Sequence, residues 1–199
     1  DVDIKKISVI EFGVESYQNE LFMATANDIK KGIDFCFFGN ISPRKGVFEL
    51  LEAWNCSELT SSRLHLCGRL YPEISHILES QRFENVITPG FVSPKEYANN
   101  FEVYVFPSWS EGSSKSIYEA MALGMACIVT HSSGSIVRDG IDGCIIQPGD
   151  VIELREKMIW MVENPQELNG MRLNAQDYVK KFSWDNYVNR VSQLINEKI

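Results

Sequence analysis

The chain has 199 residues, 44% of them apolar, with 27 acidic against 19 basic side chains and a formal net charge of −8. That length supports a real hydrophobic core without disulfide or metal staples, and the acidic balance excludes a general nucleic-acid-binding surface, which needs clustered positive charge. No apolar run reaches the roughly 18 residues of a transmembrane helix, and the longest, 120–129, is broken by Gly124.

Residues 1–31 read as a linker-like segment with a leading strand or helix, and the start at Asp1 without Met or an apolar leader predicts further sequence upstream. From residue 32 onward, short apolar runs alternate with segments of helical period. Ile33 to Phe38 predicts a strand ending at Gly39. Val47, Leu50, Leu51 and Trp54 then form the stripe of a helix over 47–54. Arg63 to Cys67 is the next strand, stopped by Gly68, and Pro72 to Gln81 a helix opened by proline. Val86-Ile87 predicts a short strand with Gly90 to Val92 as its exit loop, and Ser93-Pro94-Lys95-Glu96 reads as a capping box. Val103 to Phe106 and Ala126 to Thr130 are strands on either side of a helix over 113–123. Cys144 to Ile146 is a last strand before helices over 151–162, 165–180 and 184–197, the final one capped by Ser183.

Strands alternating with helices over more than a hundred residues imply parallel pairing with right-handed crossovers. The expected fold class is therefore α/β, a doubly wound Rossmann-like parallel sheet. Ligands of such sheets lie beyond the carboxyl ends of the strands, so the loops after Phe38, Cys67, Ile87, Phe106 and Thr130 are where chemistry is sought. Cys36, Cys56, Cys67, Cys127 and Cys144 form no C-x-x-C pair, and four of them lie in apolar runs. They read as buried hydrophobes of a reduced, cytoplasmic protein.

The common cofactor signatures are missing. No G-x-G-x-x-G follows a strand, and a phosphate-binding P-loop ending at Lys115-Ser116 would need glycine where Trp109 and Ser114 stand. His65, His76 and His131 have no metal-ligand spacing, and Asp1 and Asp3 make a poor ligand set, so no metal and no cofactor are expected. His131, at the carboxyl end of a strand, is a candidate pocket residue; otherwise the histidines read as structural or solvated.

The informative stretch runs from Pro107 to Gly124. A strand ends at Phe106, a loop presents Glu111 and Gly112, and a helix opens on small residues, Ser113 and Ser114, before Lys115. A helix start of this kind has uncommitted N–H groups and the positive end of the macrodipole, and Gly112 lets a phosphate approach the backbone. Glu119, about one and a half turns into the helix, and Glu111, just ahead of it, would bracket a ligand with phosphate in the middle and hydroxyls at both ends.

This stretch resembles the donor-site signature of retaining glycosyltransferases of the GT-B fold, the large family 4: a proline-serine loop, E-G, a second Glu eight residues after the first, then A-M-A-x-G and a strand. Other pieces fall in order. Gly39 to Gly46 resembles the family's G-R-x-x-x-x-K-G element, His65 to Gly68 its strand with a glycine turn, and Val86 to Val92 the segment ending G-x-V. The run from Val137 to Asp150 is similar to the late D-G…G…P-G-D element, Phe182-Ser183-Trp184 to the terminal F-S-W, and Val9 to Glu15 to the interdomain linker.

The resemblance implies the C-terminal, donor-binding half of a GT-B enzyme, spanning residues 32–199, with the acceptor-binding N-terminal domain absent from this chain. Lys45 and Arg44 would clamp the donor diphosphate, with Asn40 at a position usually held by arginine. Backbone N–H groups of Ser113, Ser114 and Lys115, next to Gly112, would hold the same phosphates. Glu111, the catalytic candidate, would bind donor-sugar hydroxyls, Glu119 the ribose hydroxyls, and the base would lie by Gly68 and around Thr88 to Gly90. The implied partner is a nucleotide-sugar, the implied activity transfer of a sugar to a hydroxyl acceptor with retention, and the implied role polysaccharide or cell-envelope glycan synthesis. The full-length protein would be cytoplasmic, with peripheral attachment at the inner face of the membrane. The chain departs from the family pattern at Asn40, at Ser113-Ser114-Lys115 in place of glycine-aromatic-glycine, and at Ser135 in place of a glutamate. Two rival readings stand beside this one: a non-catalytic nucleotide-sugar-binding module, and a sugar-nucleotide epimerase of the same fold.

Overall fold

The computed structural model describes residues 7–15, 32–93 and 101–196. Six parallel strands, β1 (Asp34–Phe38), β2 (Arg63–Cys67), β3 (Val86–Gly90), β4 (Val103–Phe106), β5 (Ala126–Thr130) and β6 (Gly143–Ile146), form one sheet in the order 3-2-1-4-5-6. The helices between and after them are α1 (Val47–Trp54), α2 (Pro72–Ser80), α3 (Lys115–Ala122), α4 (Val151–Glu163), α5 (Pro165–Val179) and α6 (Trp184–Asn196). This is the expected doubly wound arrangement. Its strand order reverses between β1 and β4, which opens a crevice at their carboxyl ends.

The central strands are buried along their whole length because helices cover both faces. Helix α1 packs on α4, and α3 on α5. Aromatic rings knit β1 to β4: Phe37 stacks on Phe106, and Tyr104 on both Phe38 and Phe106. Cys36, Cys67, Cys127 and Cys144 are buried as expected, Cys56 is half-buried, and all five thiols are free.

Several boundaries differ from the sequence reading, most by a single residue. Strand β3 continues through Thr88 and Pro89 to Gly90; it is the edge strand, where a residue lacking N–H costs no ladder bond. Helix α3 starts at Lys115 rather than Ser113, because Ser114 is its extended N-cap (φ −94°, ψ 105°), the position serine favours. Strand β6 begins one residue earlier, at Gly143. The capping box at 93–96 lies outside the described residues, as do most of the leading strand or helix expected in 1–31 and the pair Asp1 and Asp3.

The linker-like segment is docked where it is described. Val14 donates its N–H to the Phe182 carbonyl (2.8 Å), Glu11 pairs with Arg190 of α6, and Gly13 lies so close under the Trp184 ring that a Cβ there would sit 2.5 Å from it. Ser183 accepts the Asn186 N–H at 3.2 Å and caps α6. Among the described residues no helix is long and apolar enough to cross a membrane.

Candidate functional site

Strands β1 and β2 pair in register and end together, so Gly39 and Gly68 lie side by side. Gly39 donates to the Cys67 carbonyl (3.0 Å) and Gly68 to the Gly90 carbonyl (2.8 Å). At φ 139° Gly68 has no room for a side chain, since a Cβ would stand 1.9 Å from the Gly39 oxygen. Past Gly39 the chain buries Ile41 and Ser42, turns through a 3-10 segment at Pro43–Lys45, and enters α1 at Gly46 (φ 73°), whose Cβ would be 2.0 Å from the Pro107 carbonyl oxygen. The loop after β1 is thus pressed onto the loop after β4.

Across that seam the charged groups meet. Glu111 Oε1 receives Lys45 Nζ at 2.6 Å, Arg44 Nη1 at 2.7 Å and the Ser108 hydroxyl at 3.0 Å. Arg44 also donates to the Ser110 carbonyl, and the Glu111 N–H donates to the Ser132 carbonyl after β5 (2.8 Å). Among the described residues Oε2 of Glu111 accepts no hydrogen bond. Partial burial alone would push the Glu111 carboxyl up, but the Lys45 ammonium, the Ser108 hydroxyl and the Arg44 charge together hold it below its ordinary range. Glu111 is therefore an anion at neutral pH, an acceptor rather than a proton donor. Lys45, whose side chain is 13% exposed, lies with its Nζ 4.8 Å from the Phe106 ring centroid, while Arg44 is 60% exposed.

Glu119 lies on the other side of the start of α3. It lines a cavity of about 300 Å³ together with Gly39, Asn40, Gly68, Arg69, Phe91 and Ser116. Its carboxylate pairs with Lys115 Nζ at 3.1 Å, one turn back on the same helix. The start of α3 rests on hydroxyls: the buried Tyr104 hydroxyl reaches Ser116 Oγ at 2.7 Å, and Ser116 Oγ lies 2.9 Å from Ser114 Oγ. Gly112 has open space beside it, and its carbonyl backs onto Gly134, where a Cβ would come within 2.2 Å.

The predicted catalytic and donor-binding residues lie at the β1/β4 crevice or beside it, in two groups. Asn40, Gly68 and Glu119 line the cavity. Arg44, Lys45 and Glu111 form the ion cluster next to it. Gly112, Ser113, Ser114 and Lys115 lie in sequence between the two carboxylates, at the start of α3, with Arg44 and Lys45 paired to Glu111 and Lys115 paired to Glu119. His131 is exposed and is not among the residues lining the cavity. His65 lies at the far end of the sheet near Asp34, 3.7 Å from its carboxylate. The D-G run closes on itself: Asp142, fully buried, takes the Arg138 backbone N–H and its Nε, both at 2.6 Å. Its role is structural.

Sequence reasoning passed over Ser108, Ser116 and Trp109. Ser108 is fully buried, and its hydroxyl touches both Glu111 and the Arg44 carbonyl. Trp109 pins the Glu111 loop by donating to Glu49 Oε1 of α1 (3.1 Å) and covering Gly149 with its ring. A polar residue held next to the strand's closing proline was the available signal for Ser108; nothing in the pattern marked Trp109's partners. Among the described residues no group of three His, Cys, Asp or Glu side chains is placed to hold a metal ion.

Fold and site together define a doubly wound domain whose switch point has a cation-carboxylate cluster and a cavity edged by a second carboxylate. A family model described as Glycosyl transferases group 1 matches residues 32–164, and the chain belongs to that family. It is 28% identical over 166 residues to an uncharacterized glycosyltransferase of Methanocaldococcus jannaschii, covering 81% of this chain and 47% of that protein. It is 25% identical over an alignment of 216 residues to the capsular polysaccharide biosynthesis glycosyltransferase CapM of Staphylococcus aureus, covering 96% of this chain and 57% of that one. Among solved structures it resembles Anabaena HepE in complex with UDP, with a TM-score of 0.73 at 21% identity over 85% of this chain and 50% of that one, a likeness of fold. The chain spans about half the length of the curated relatives it matches.

Proposed function

We propose that the chain is the donor-binding half of a retaining glycosyltransferase, which takes a nucleotide-sugar and, with an acceptor-binding half outside these residues, transfers the sugar to a hydroxyl. The observation that carries this reading is the pairing of Lys45 and Arg44 with Glu111 at the mouth of a crevice whose cavity is edged by Glu119. A diphosphate at the start of α3 would draw on the helix N–H groups of Ser113, Ser114 and Lys115 and on the two cations, which would match the charge that builds on the departing nucleoside diphosphate. Glu111, held ionised, would use its Oε2 to accept hydrogen bonds from sugar hydroxyls. Glu119 would exchange Lys115 for the ribose hydroxyls. With that cationic provision the reaction is proposed to need no divalent ion, so transfer should be unaffected by a chelator.

The relative named for capsular polysaccharide synthesis supports a role in polysaccharide or cell-envelope glycan assembly, and the fold neighbour solved with UDP supports a nucleotide-sugar partner. The free, largely buried thiols suit a reducing cytoplasm, with attachment at the inner face of the membrane left to the other half. The test is transfer of radiolabelled sugar from nucleotide-sugars to hydroxyl acceptors by the protein carrying both halves. Labelled product that disappears in Glu111→Ala supports the reading. Donor binding without transfer across many acceptors would instead establish the non-catalytic binding module.

A further inference from the structure

Helix α3 opens beside a buried phenol. Tyr104, on β4, is fully buried, its ring stacked on Phe38 and on Phe106 with centroids 5.8 Å away in each case. A phenylalanine would fill that space without taking a hydroxyl out of water, and a buried hydroxyl is costly unless it is bonded. The Tyr104 oxygen lies 2.7 Å from Ser116 Oγ and 3.3 Å from the Phe38 carbonyl oxygen. Ser116 Oγ is in turn 2.9 Å from Ser114 Oγ. Ser114 is the buried N-cap of α3, yet its side chain makes no capping bond to the helix. Ser116 lines the cavity that Glu119 edges. Three hydroxyls therefore run from the core of the sheet to the place where the diphosphate is proposed to sit.

Distance sets the direction of the protons along these hydroxyls. Each has one proton to give and can accept two. The 2.7 Å contact is an ordinary O–H···O separation, whereas 3.3 Å lies beyond the usual range, so Tyr104 gives its proton to Ser116. Burial holds the phenol well above its ordinary range, which keeps it a donor at neutral and mildly basic pH. Ser116 already accepts from Tyr104 and must direct its own proton elsewhere. If that proton goes to Ser114, the Ser114 proton is left for a ligand; if Ser114 donates to Ser116 instead, the Ser116 proton is. In both arrangements one hydroxyl proton is delivered at the start of α3, and hydroxyls polarised in one sense make the last donor stronger. That donor matters because Arg44 and Lys45 pair with Glu111 and Lys115 pairs with Glu119, so a neutral hydroxyl meets an arriving anion without breaking an ion pair. We propose that Tyr104 is a positioning residue for the donor diphosphate, acting through Ser116 to set the Ser116 and Ser114 hydroxyls to donate toward it. The proposal rests on the nucleotide-sugar reading above and adds to it a residue inside the sheet that itself touches no ligand.

The experiment is calorimetric titration of the 199-residue chain with UDP, GDP, ADP and inorganic pyrophosphate, repeated for Tyr104→Phe, Ser116→Ala, Ser116→Thr and the double variant Tyr104→Phe with Ser116→Ala, and for Lys45→Ala as a separate report on the cations. Tyr104→Phe removes one oxygen and keeps the stacked ring, so it should melt cooperatively within about 6 °C of the wild type. It should weaken the nucleoside diphosphate that binds best, and pyrophosphate with it, by about two- to tenfold. Ser116→Ala should lose at least as much, Ser116→Thr should bind like the wild type, and the double variant should lose no more than Ser116→Ala alone, because Tyr104 acts through that hydroxyl. A residue that only braced the sheet would move the melting temperature and leave this pattern of affinities flat. Should Tyr104→Phe not fold, Ser116→Ala carries the test, since Ser116 is only half-buried. Undiminished diphosphate affinity in Tyr104→Phe or in Ser116→Ala, or losses that add in full in the double variant, overturns the inference; where Lys45→Ala still weakens binding, the nucleotide reading survives it. If the wild type binds none of the diphosphates, both fail together.

Discussion

Lys45 and Glu111 are 2.6 Å apart although they leave different strands, one following β1 and the other β4. These are the two strands between which the sheet order reverses, so the ion pair spans the switch point itself. A diphosphate arriving there must share Lys45 and Arg44 with Glu111. Removing the charge at Glu111 while keeping its shape should relieve that competition. Glu111→Gln is expected to bind UDP or GDP at least as tightly as the wild type, whereas Lys45→Ala loses roughly 1.5–3 kcal/mol, about tenfold to more than a hundredfold. Calorimetry on both variants checks this. Weakened nucleotide binding in Glu111→Gln, or none of the loss in Lys45→Ala, would remove the diphosphate from this cluster.

Gly46 sets the distance between those two loops. Its left-handed backbone and the 2.0 Å that a Cβ would leave to the Pro107 oxygen mean that Gly46→Ala must either strain the turn or push the loops apart. The expected cost is about 2–3 kcal/mol, or roughly 4–12 °C in melting temperature for a chain of this size. Nucleotide affinity should fall with it, since Lys45 is the preceding residue. A melting curve and one titration decide it; a Gly46→Ala protein as stable as the wild type would show that the turn has slack.

What the sequence made legible follows from which rules are local. The strands that end at Phe38, Cys67 and Phe106 and the helix over 47–54 were readable because apolar period, glycine stops and serine caps act over a few residues. Strand β3 was cut short because Thr88-Pro89 reads as a turn unless the strand is known to be an edge. The site was legible as a set of residues but not as a set of contacts. That Arg44 and Lys45 rest on Glu111, that the Ser108 hydroxyl joins them, and that Trp109 fastens the loop to Glu49 all depend on pairings 60 or more residues apart, or on which way a buried hydroxyl turns. The separation of Glu111 from the cavity that Glu119 lines belongs to the same class of fact.

At the opposite end of the sheet, Asp34 contributes to acid stability. Asp34 accepts Arg63 Nε at 2.6 Å and a second guanidinium nitrogen on its other oxygen, with His65 Nε2 3.7 Å away. Burial by itself would raise the Asp34 carboxyl, but the nearby His65 and the bonded Arg63 guanidinium outweigh it and the net shift is downward. A carboxyl lowered on folding stabilises the fold fully above its unfolded value, about 3.9, and the contribution is lost as pH falls through the folded value. Asp34→Asn should therefore be less stable than the wild type at pH 7, by about 1–2 kcal/mol given that Arg63 is more than half exposed. The two proteins should converge as the pH drops below 4. Denaturant titrations at pH 7 and in steps below pH 4.5 measure the difference, and a gap that stays constant with pH would mean the pair contributes packing rather than charge.

The five thiols make a last, independent test of the sheet. Burial raises Cys67 to about 12 and Cys144 to about 11, and holds Cys36 and Cys127 well above the ordinary thiol range. Cys56, after the end of α1, is raised by burial too, but it is only half-buried. Reaction with a disulfide reagent needs thiolate and access together, so at pH 8 Cys56 should react first, with Cys36, Cys127 and Cys144 appearing only on denaturation. Cys67 is the informative exception, because it lines the cavity with Gly68 and Phe91. Its slow labelling at pH 9 should be suppressed further by a bound nucleoside diphosphate, while labelling of Cys56 stays unchanged. Mass mapping of labelled peptides distinguishes the two, and nucleotide that protects Cys56 but not Cys67 would place the ligand on the wrong side of the sheet.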